Sequence, residues 1–313
     1  MNSLKLELHE VQNPDCKKCN RAGRDERVEE GLCADVVSVV DRLPVRCVGD
    51  WAYAKIYRLV KYLGIFAGGM KNKWPGLNYV EICSGPGRCI RKSDGMEMDG
   101  TALAVIRHPI FTHIQRAVFI DLNAGVVEAL NRRFELQGVR DKAEAMIGDY
   151  SDTTTIEKLM AALPRNNLNL CFLDPTECDV PFATMEAIVR AVGKVDFIIN
   201  VALGTDVGRN IANACLEPAF QRTRAKYEAF LGLPGFCQRP AVQDLARIGN
   251  HEELRQAFLA AYLTSFQRLH YLYSDARPVK HFYHLLFLSR HERGLEFWNK
   301  ACKIAPDNQR ELF

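Results

Sequence analysis

A glycine turn and a row of acids near the middle of the chain are the residues best suited to chemistry. Tyr79-Val80-Glu81-Ile82-Cys83 is an apolar run with one acid inside it, and Ser84-Gly85-Pro86-Gly87-Arg88 follows at once. The pattern predicts a buried strand that ends in a tight turn, where glycine lets the backbone approach a ligand closely. In an open α/β sheet such a turn lies at the carboxyl ends of the strands, where nucleotide-like ligands bind. Ile90 stands where the third glycine of the dinucleotide fingerprint belongs, which argues against a nicotinamide cofactor. A pocket for S-adenosylmethionine (SAM) needs the turn and the acids but no pyrophosphate cradle, and fits better. Ser84, Gly85, Pro86 and Gly87 are therefore candidate cofactor residues.

Acids recur at the ends of the following apolar runs. Glu81 is one residue short of its strand end, and a buried carboxylate there needs a partner. It can hold the amino group at the methionine end of SAM, directly or through water, or be a core acid satisfied by backbone or arginine. Asp121, in Phe119-Ile120-Asp121-Leu122, can accept both ribose hydroxyls with Leu122 beside them, or cap the next helix. It lies farther from the turn than the roughly 20 residues of the usual unit, and the charged segment 88–99 absorbs the excess. Asp149, in Ile147-Gly148-Asp149-Tyr150, can receive the adenine amino group with Tyr150 against the base, or serve as a turn aspartate.

The acceptor side of the site falls on Leu173-Asp174-Pro175, which ends a fourth apolar run. Pro175 stiffens the turn. Asp174 at the open sheet edge can accept a hydrogen bond from a target amine, act as a base, or hold a metal. Phe182, on the same loop, can stack on a planar substrate, or be a packing residue. Asn200, near the end of a fifth run, is a further wall of the site. Glu177 and Asp179 follow Asp174 closely, so a metal-dependent nuclease is an alternative reading.

Two further clusters stand outside this row. Cys16 and Cys19 form a CxxC pair, with Cys33 and Cys47 farther on and His9 as a substitute for the last. Such a set can bind structural zinc, although only one close pair is present; reduced thiols are the bland alternative. Arg88, Arg91 and Lys92 beside the turn, and Arg222, Arg224 and Lys226 interleaved with Tyr227 and Phe230, can follow a nucleic-acid backbone, or form a solvated face.

Strands must position these residues. Apolar runs at Leu77–Cys83, Arg116–Asp121, Ala143–Gly148, Leu168–Leu173 and Val195–Val201 alternate with helical patterns at Ala124–Leu136, Thr154–Leu163 and Val180–Val192. Alternation of this kind predicts a parallel sheet with helices on both faces. Trp51–Phe66 and Thr101–His108 also read as helices, as does His251–Tyr273. The expected fold is α/β, a Rossmann-like sheet of seven strands. Residues 1–46 read as a Cys-containing appendage, 47–209 as the cofactor-binding core, 210–280 as a helical insertion, and 281–313 as a strand and helix that complete the core.

Composition agrees with a folded α/β chain: 313 residues, 48% hydrophobic and 25% charged, are enough to bury a core. A net charge of +3 is too small to indicate a nucleic-acid partner by itself. MNSLKLELHE lacks the apolar stretch of a signal peptide, and no apolar run is long enough for a membrane span. A cytoplasmic protein with reduced cysteines is expected.

Taken together, the motifs resemble the three-Cys-motif partner family, a bacterial family with a Rossmann-like methyltransferase core. The carriers are Gly49-Asp50-Trp51 with Lys55, Ser84-Gly85-Pro86-Gly87-Arg88, Asp99-Gly100-Thr101, Phe119-Ile120-Asp121, Gly148-Asp149, and Leu173-Asp174-Pro175 with Val180-Pro181-Phe182. Ile199-Asn200, Arg209-Asn210 and the tail from Tyr283 to Trp298 add to them. Glu81 stands where the resemblance implies aspartate. The resemblance implies the fold and a SAM-dependent methyltransferase; the Asp174-Pro175 loop with its aromatic and basic neighbours makes nucleic acid or a nucleobase the preferred acceptor. A methyltransferase-like binding module for a partner protein is the main alternative.

Overall fold

The computed structural model describes residues 8–14 and 36–303. The first elements are β1 (Val11–Gln12) and β2 (Arg46–Val48), then a helix of 20 residues, α1 (Trp51–Met70). The central strand β3 (Leu77–Ile82) is buried at all six positions. It is followed by a hairpin, β4 (Arg88–Arg91) and β5 (Met96–Asp99), and by α2 (Thr101–Arg107). β6 (Ile114–Asp121), α3 (Ala124–Leu136), β7 (Ala143–Ile147), α4 (Thr153–Ala161), β8 (Leu168–Leu173), α5 (Phe182–Val192) and β9 (Val195–Val201) continue the strand–helix alternation.

These runs pair as the alternation requires. The main sheet has seven strands in the order β10-β11-β9-β8-β3-β6-β7, where β10 is Tyr273–Val279 and β11 is Tyr283–Ser289. β3, β6, β7, β8 and β9 are parallel, and β11 runs antiparallel between β9 and β10. The chain steps outward from β3 to β7 and then returns to the other side of β3 at β8. That reversal opens a crevice above the carboxyl ends of β3 and β8.

Two segments differ from the sequence reading. The charged segment 88–99 is not a loop insert but the β4–β5 hairpin, joined by β1 and β2 into a second sheet of order β1-β5-β4-β2. Alternation over four-residue strands is too brief to separate from loop polarity. The helical segment 210–280 ends early, because Tyr273–Val279 is a strand at the edge of the main sheet. Its Pro278 and two charges masked it, yet proline is tolerated at an edge where no ladder donor is needed.

Between β9 and β10 lie α6 (Gly208–Leu216), α7 (Gln221–Leu231), α8 (Pro240–Arg247) and α9 (His251–Arg268). Their shared core is aromatic: Phe230 stacks on Tyr262 at 4.3 Å, and Phe258 meets Tyr227 edge-on at 5.5 Å. The last helix, α10 (Glu292–Cys302), covers α1: Trp298 stacks on Phe287 at 5.3 Å, and both rings touch Tyr62. Trp298 and Tyr62 are wholly buried, so each ring contributes on the order of 2–3 kcal/mol by leaving water. No helix of the described residues is long and apolar enough to cross a membrane.

Candidate functional site

The crevice at the reversal point is a cleft of about 510 Å³. Its floor is the Ser84–Gly87 turn; its walls include Trp51 and Lys55 of α1, Arg46 and Cys47 of β2, Thr101, Asp174, Pro175, Asn200 and Tyr283. The turn is left-handed, with Gly85 at φ 64° and Gly87 at φ 94°, and Cys83 shares the same region at φ 63°. A non-glycine residue held there costs about 1–2 kcal/mol, which the surrounding structure must supply. A Cβ on Gly85 would meet no atom within 4 Å, because it would stand in the cleft. The hydroxyl of Ser84, also on the floor, is buried and has no hydrogen-bond partner.

Asp121 shapes this floor from behind. Its Oδ2 accepts from the Gly85 amide at 3.0 Å and its Oδ1 from the Asn123 amide at 3.1 Å. Asn123, not Asp121, caps α3, accepting from the Val126 amide. Arg133 of α3 supports the turn from the other side. It is 1% exposed; its guanidinium donates to the Asp41 carboxylate at 2.8 Å and to the carbonyls of Leu43, Pro44 and Pro86. Burial pushes the Asp41 carboxyl upward, but Arg133 outweighs it and holds the group below its ordinary value. Arg133 thus ties residues 41–44 to the glycine turn. Arg133→Met is expected to cost at least about 3 kcal/mol, since Asp41 and several carbonyls lose a charged donor. Hydrogen exchange should show the loss of protection concentrated at residues 36–48; protection equal to the wild type there would refute the tie.

At the centre of the cleft, Asp174 is held on two sides. Lys55 Nζ reaches its carboxylate at 2.5 and 2.6 Å, and Asn200 Nδ2 donates to Oδ1 at 3.0 Å. Lys55 is 5% exposed and also sits 4.7 Å above the Trp51 ring. Asn200 Oδ1 is left buried without a partner. Asp174, Pro175 and Asn200 therefore meet as expected, but Asp174 is an ion-pair partner rather than a bare carboxylate. Sequence reasoning gave Lys55 no role of its own. Its signal was a lysine within the apolar stripe Ala52, Ile56, Leu59, Leu63 of α1, where a charge needs a partner.

Glu81 lies below the cleft and is fully buried. The Tyr79 hydroxyl donates to Oε2 at 2.7 Å and the Thr101 hydroxyl to Oε1, so Thr101, which lines the cleft, stands between Glu81 and any ligand. Its partners are two side-chain hydroxyls, not the backbone or arginine of the core-acid alternative, and Glu81 itself does not line the cleft. Burial, helped by Asp174, pushes its pKa from 4.5 up to about 8, against the hydroxyls and Lys55. Because the folded pKa lies above the unfolded one, this stabilisation is complete below pH 4.5 and is lost as pH rises through 8. Glu81→Gln should remove that slope and be the more stable protein above pH 8, as urea unfolding across pH would record.

The remaining expected residues divide. Asp149 is exposed just past β7 and accepts from the Ser151 amide at 2.7 Å, as a turn aspartate does. It is nonetheless close to Asp121: Asp121 pairs in register with Ile147, and Leu122 and Ile147 are 61% and 57% exposed at that edge. The Tyr150 hydroxyl donates to Asp179 at 2.8 Å and is not free for a ligand. Phe182 is a correction. It is 1% exposed and packs against Phe266 at 5.1 Å, because the helical insertion covers it, so it cannot stack on a substrate.

The alternatives fare less well. Asp174, Glu177 and Asp179 do not converge as a nuclease would need; they pair separately with Lys55, Lys226 and Tyr150. Cys16, Cys19 and Cys33 lie outside the described residues, while Cys47 is on the cleft wall. Among the described residues no group of His, Cys, Asp and Glu is arranged to hold a metal. Arg88 is 1% exposed and pairs with Glu97 and with Asp99 at 2.8 Å, and Tyr227 and Phe230 are core. The second basic cluster is likewise engaged at Arg224 and Lys226. Arg88, Arg224 and Lys226 are thus engaged within the fold, while Arg222 is exposed and Lys92 lines the cleft.

No family model matches the chain, and no curated protein matches it. Among solved structures it is similar to an O-methyltransferase from Bacillus cereus in complex with S-adenosylhomocysteine (SAH), at 11% identity over 87% of this chain and 92% of that one, TM-score 0.42. It is also similar to an SAH-bound methyltransferase from Podospora anserina, at 12% identity over 87% and 97%, TM-score 0.37. A third is a protein from Legionella pneumophila, at 9% identity over 83% and 95%, TM-score 0.45. By strand order and glycine turn, the chain has a Rossmann-like fold with a mostly parallel sheet of seven strands.

Proposed function

We propose that the chain is a SAM-dependent methyltransferase whose cofactor lies over the Ser84–Gly87 turn. The observation that supports this most is the open space above Gly85, on the floor of a cleft at the sheet's reversal point. The unpartnered Ser84 hydroxyl is a ready contact there. Arg46 and Lys92 line the cleft, and the Arg46 charge already acts on Cys83 and Tyr283 there, so both cations suit the carboxylate at the amino-acid end. Asp121, at the end of β6 beside the exposed Leu122, and Asp149, just past the neighbouring β7, suit the ribose and adenine.

When bound, the cofactor supplies an activated methyl group on a sulfonium. The chain's own part is to hold an acceptor in line and to exclude water. Asp174, kept in place by Lys55 and Asn200, accepts a hydrogen bond from an acceptor N–H or O–H. A nucleobase is one such acceptor, and Trp51 and Tyr283, whose rings lie 4.5 Å apart on the cleft wall, take the stacking role first given to Phe182. Calorimetric titration with SAH tests the reading: saturable binding is expected, and no heat at millimolar ligand would refute it. SAH binding without methyl transfer to any nucleobase or small acceptor would favour a binding module.

A further inference from the structure

A second cavity, of about 350 Å³, opens at the opposite end of the sheet from the cleft. It lies beside the starts of β8 and β9 and the end of β11, with walls from Phe66, Met70, Trp74, Leu168 and Phe297. This volume is that of a small-molecule pocket. Its lining is mostly apolar, with one acid, Asp196, inside. Asp196 is 8% exposed. Tyr62 donates to its Oδ2 at 3.0 Å, while the Ser289 hydroxyl beside it donates to the His291 carbonyl at 3.1 Å; no lysine or arginine acts on the acid, and only the charge of His291 does. A buried carboxylate without a cation beside it is costly. Gly294 packs closely on Ser289 and the acid, a Cβ there clashing with Ser289 Oγ and falling 3.3 Å from Asp196 Oδ2. Asp196 itself lines the cavity and is reachable from it. Two exposed cations, Lys73 and Arg293, also line the cavity, so the negative charge is inside and the positive charge is toward solvent.

We infer that this cavity binds a primary amine carried on an aromatic body with an anionic group at its far end, the ammonium on Asp196. An ammonium has three donors and no acceptor, which matches a carboxylate that takes the Tyr62 hydroxyl on one oxygen and keeps further acceptor positions. The rings of Phe66, Trp74 and Phe297 cover the aromatic body, and Lys73 and Arg293 meet the anion. The site is separate from the strand-end cleft and does not depend on the methyltransferase reading.

Calorimetry of the full chain with 4-(aminomethyl)benzoate, and with benzoate as the amine-free control, tests this. Saturable binding of the amine is expected, with benzoate weaker by about tenfold or more. Asp196→Asn keeps an oxygen for the Tyr62 hydroxyl and should lose about tenfold or more in affinity. Should that variant fail to fold, Met70→Trp, which fills the cavity from a helix end without touching Asp196, should abolish binding. No binding to the wild-type protein at millimolar amine would overturn the inference. Equal binding of benzoate, or full binding by either variant, would do the same.

Discussion

Lys55→Met is expected to lose about 3–5 kcal/mol of stability, the usual cost of removing one member of a buried ion pair. The pair is well desolvated, at 6% and 16% side-chain exposure, and short. The loss comes less from the missing attraction than from Asp174, left as a charge facing Asn200 alone. The double replacement Lys55→Met with Asp174→Leu should therefore recover most of the lost stability, since a buried pair exchanged for apolar side chains is often neutral. It should not recover methyl transfer, because the acceptor's hydrogen-bond partner is gone. Urea denaturation of the two single variants and the double variant separates these terms. A single variant within about 1 kcal/mol of the wild type would mean that the pair is a solvated contact, and its central place in the cleft would lose its meaning.

The second large effect separates two glycines of one turn. Gly87→Ala places a Cβ 2.8 Å from Leu130 Cδ1 and 3.3 Å from Leu103 Cγ, both fully packed, at φ 94°. Backbone strain of about 1–3 kcal/mol and overpacking of similar size are expected together. Gly85→Asn meets only open space, and asparagine tolerates the left-handed region. Its stability should stay within about 1 kcal/mol of the wild type, while its side chain enters the cleft and weakens SAH by about tenfold or more. Thermal unfolding beside SAH titration gives both answers. A Gly85→Asn protein that binds SAH as the wild type does would move the cofactor off this turn.

Long parallel strands were legible because burial on both faces writes them as unbroken apolar runs; β8 and β9 end where the sequence ends them. The edge strand β10 was not, since five of its seven residues are only half-buried and no alternation marks it. The same contrast holds at the site. Gly85, Gly87, Asp174 and Asn200 announced themselves by their positions at strand ends. Lys55 and Arg133 act through partners 119 and 92 residues away, and no local spacing carries such information. Phe182 misled for a related reason: what covers it is Tyr262 and Phe266 of α9, reached only after β9 and three further helices.

The placement of β11 between β9 and β10, with α10 lying on α1, bears on how the molecule assembles. Arg58 of α1 donates to the carbonyl of Pro278, 220 residues further on. Contacts so distant close large loops, and folding slows as such contacts accumulate. While the chain is being synthesised, the apolar face of α1 around Tyr62 and Phe66 stays bare until Phe287 and Trp298 arrive. A protein arranged this way offers chaperones a sticky helix from the time α1 is made until its last strand and helix follow.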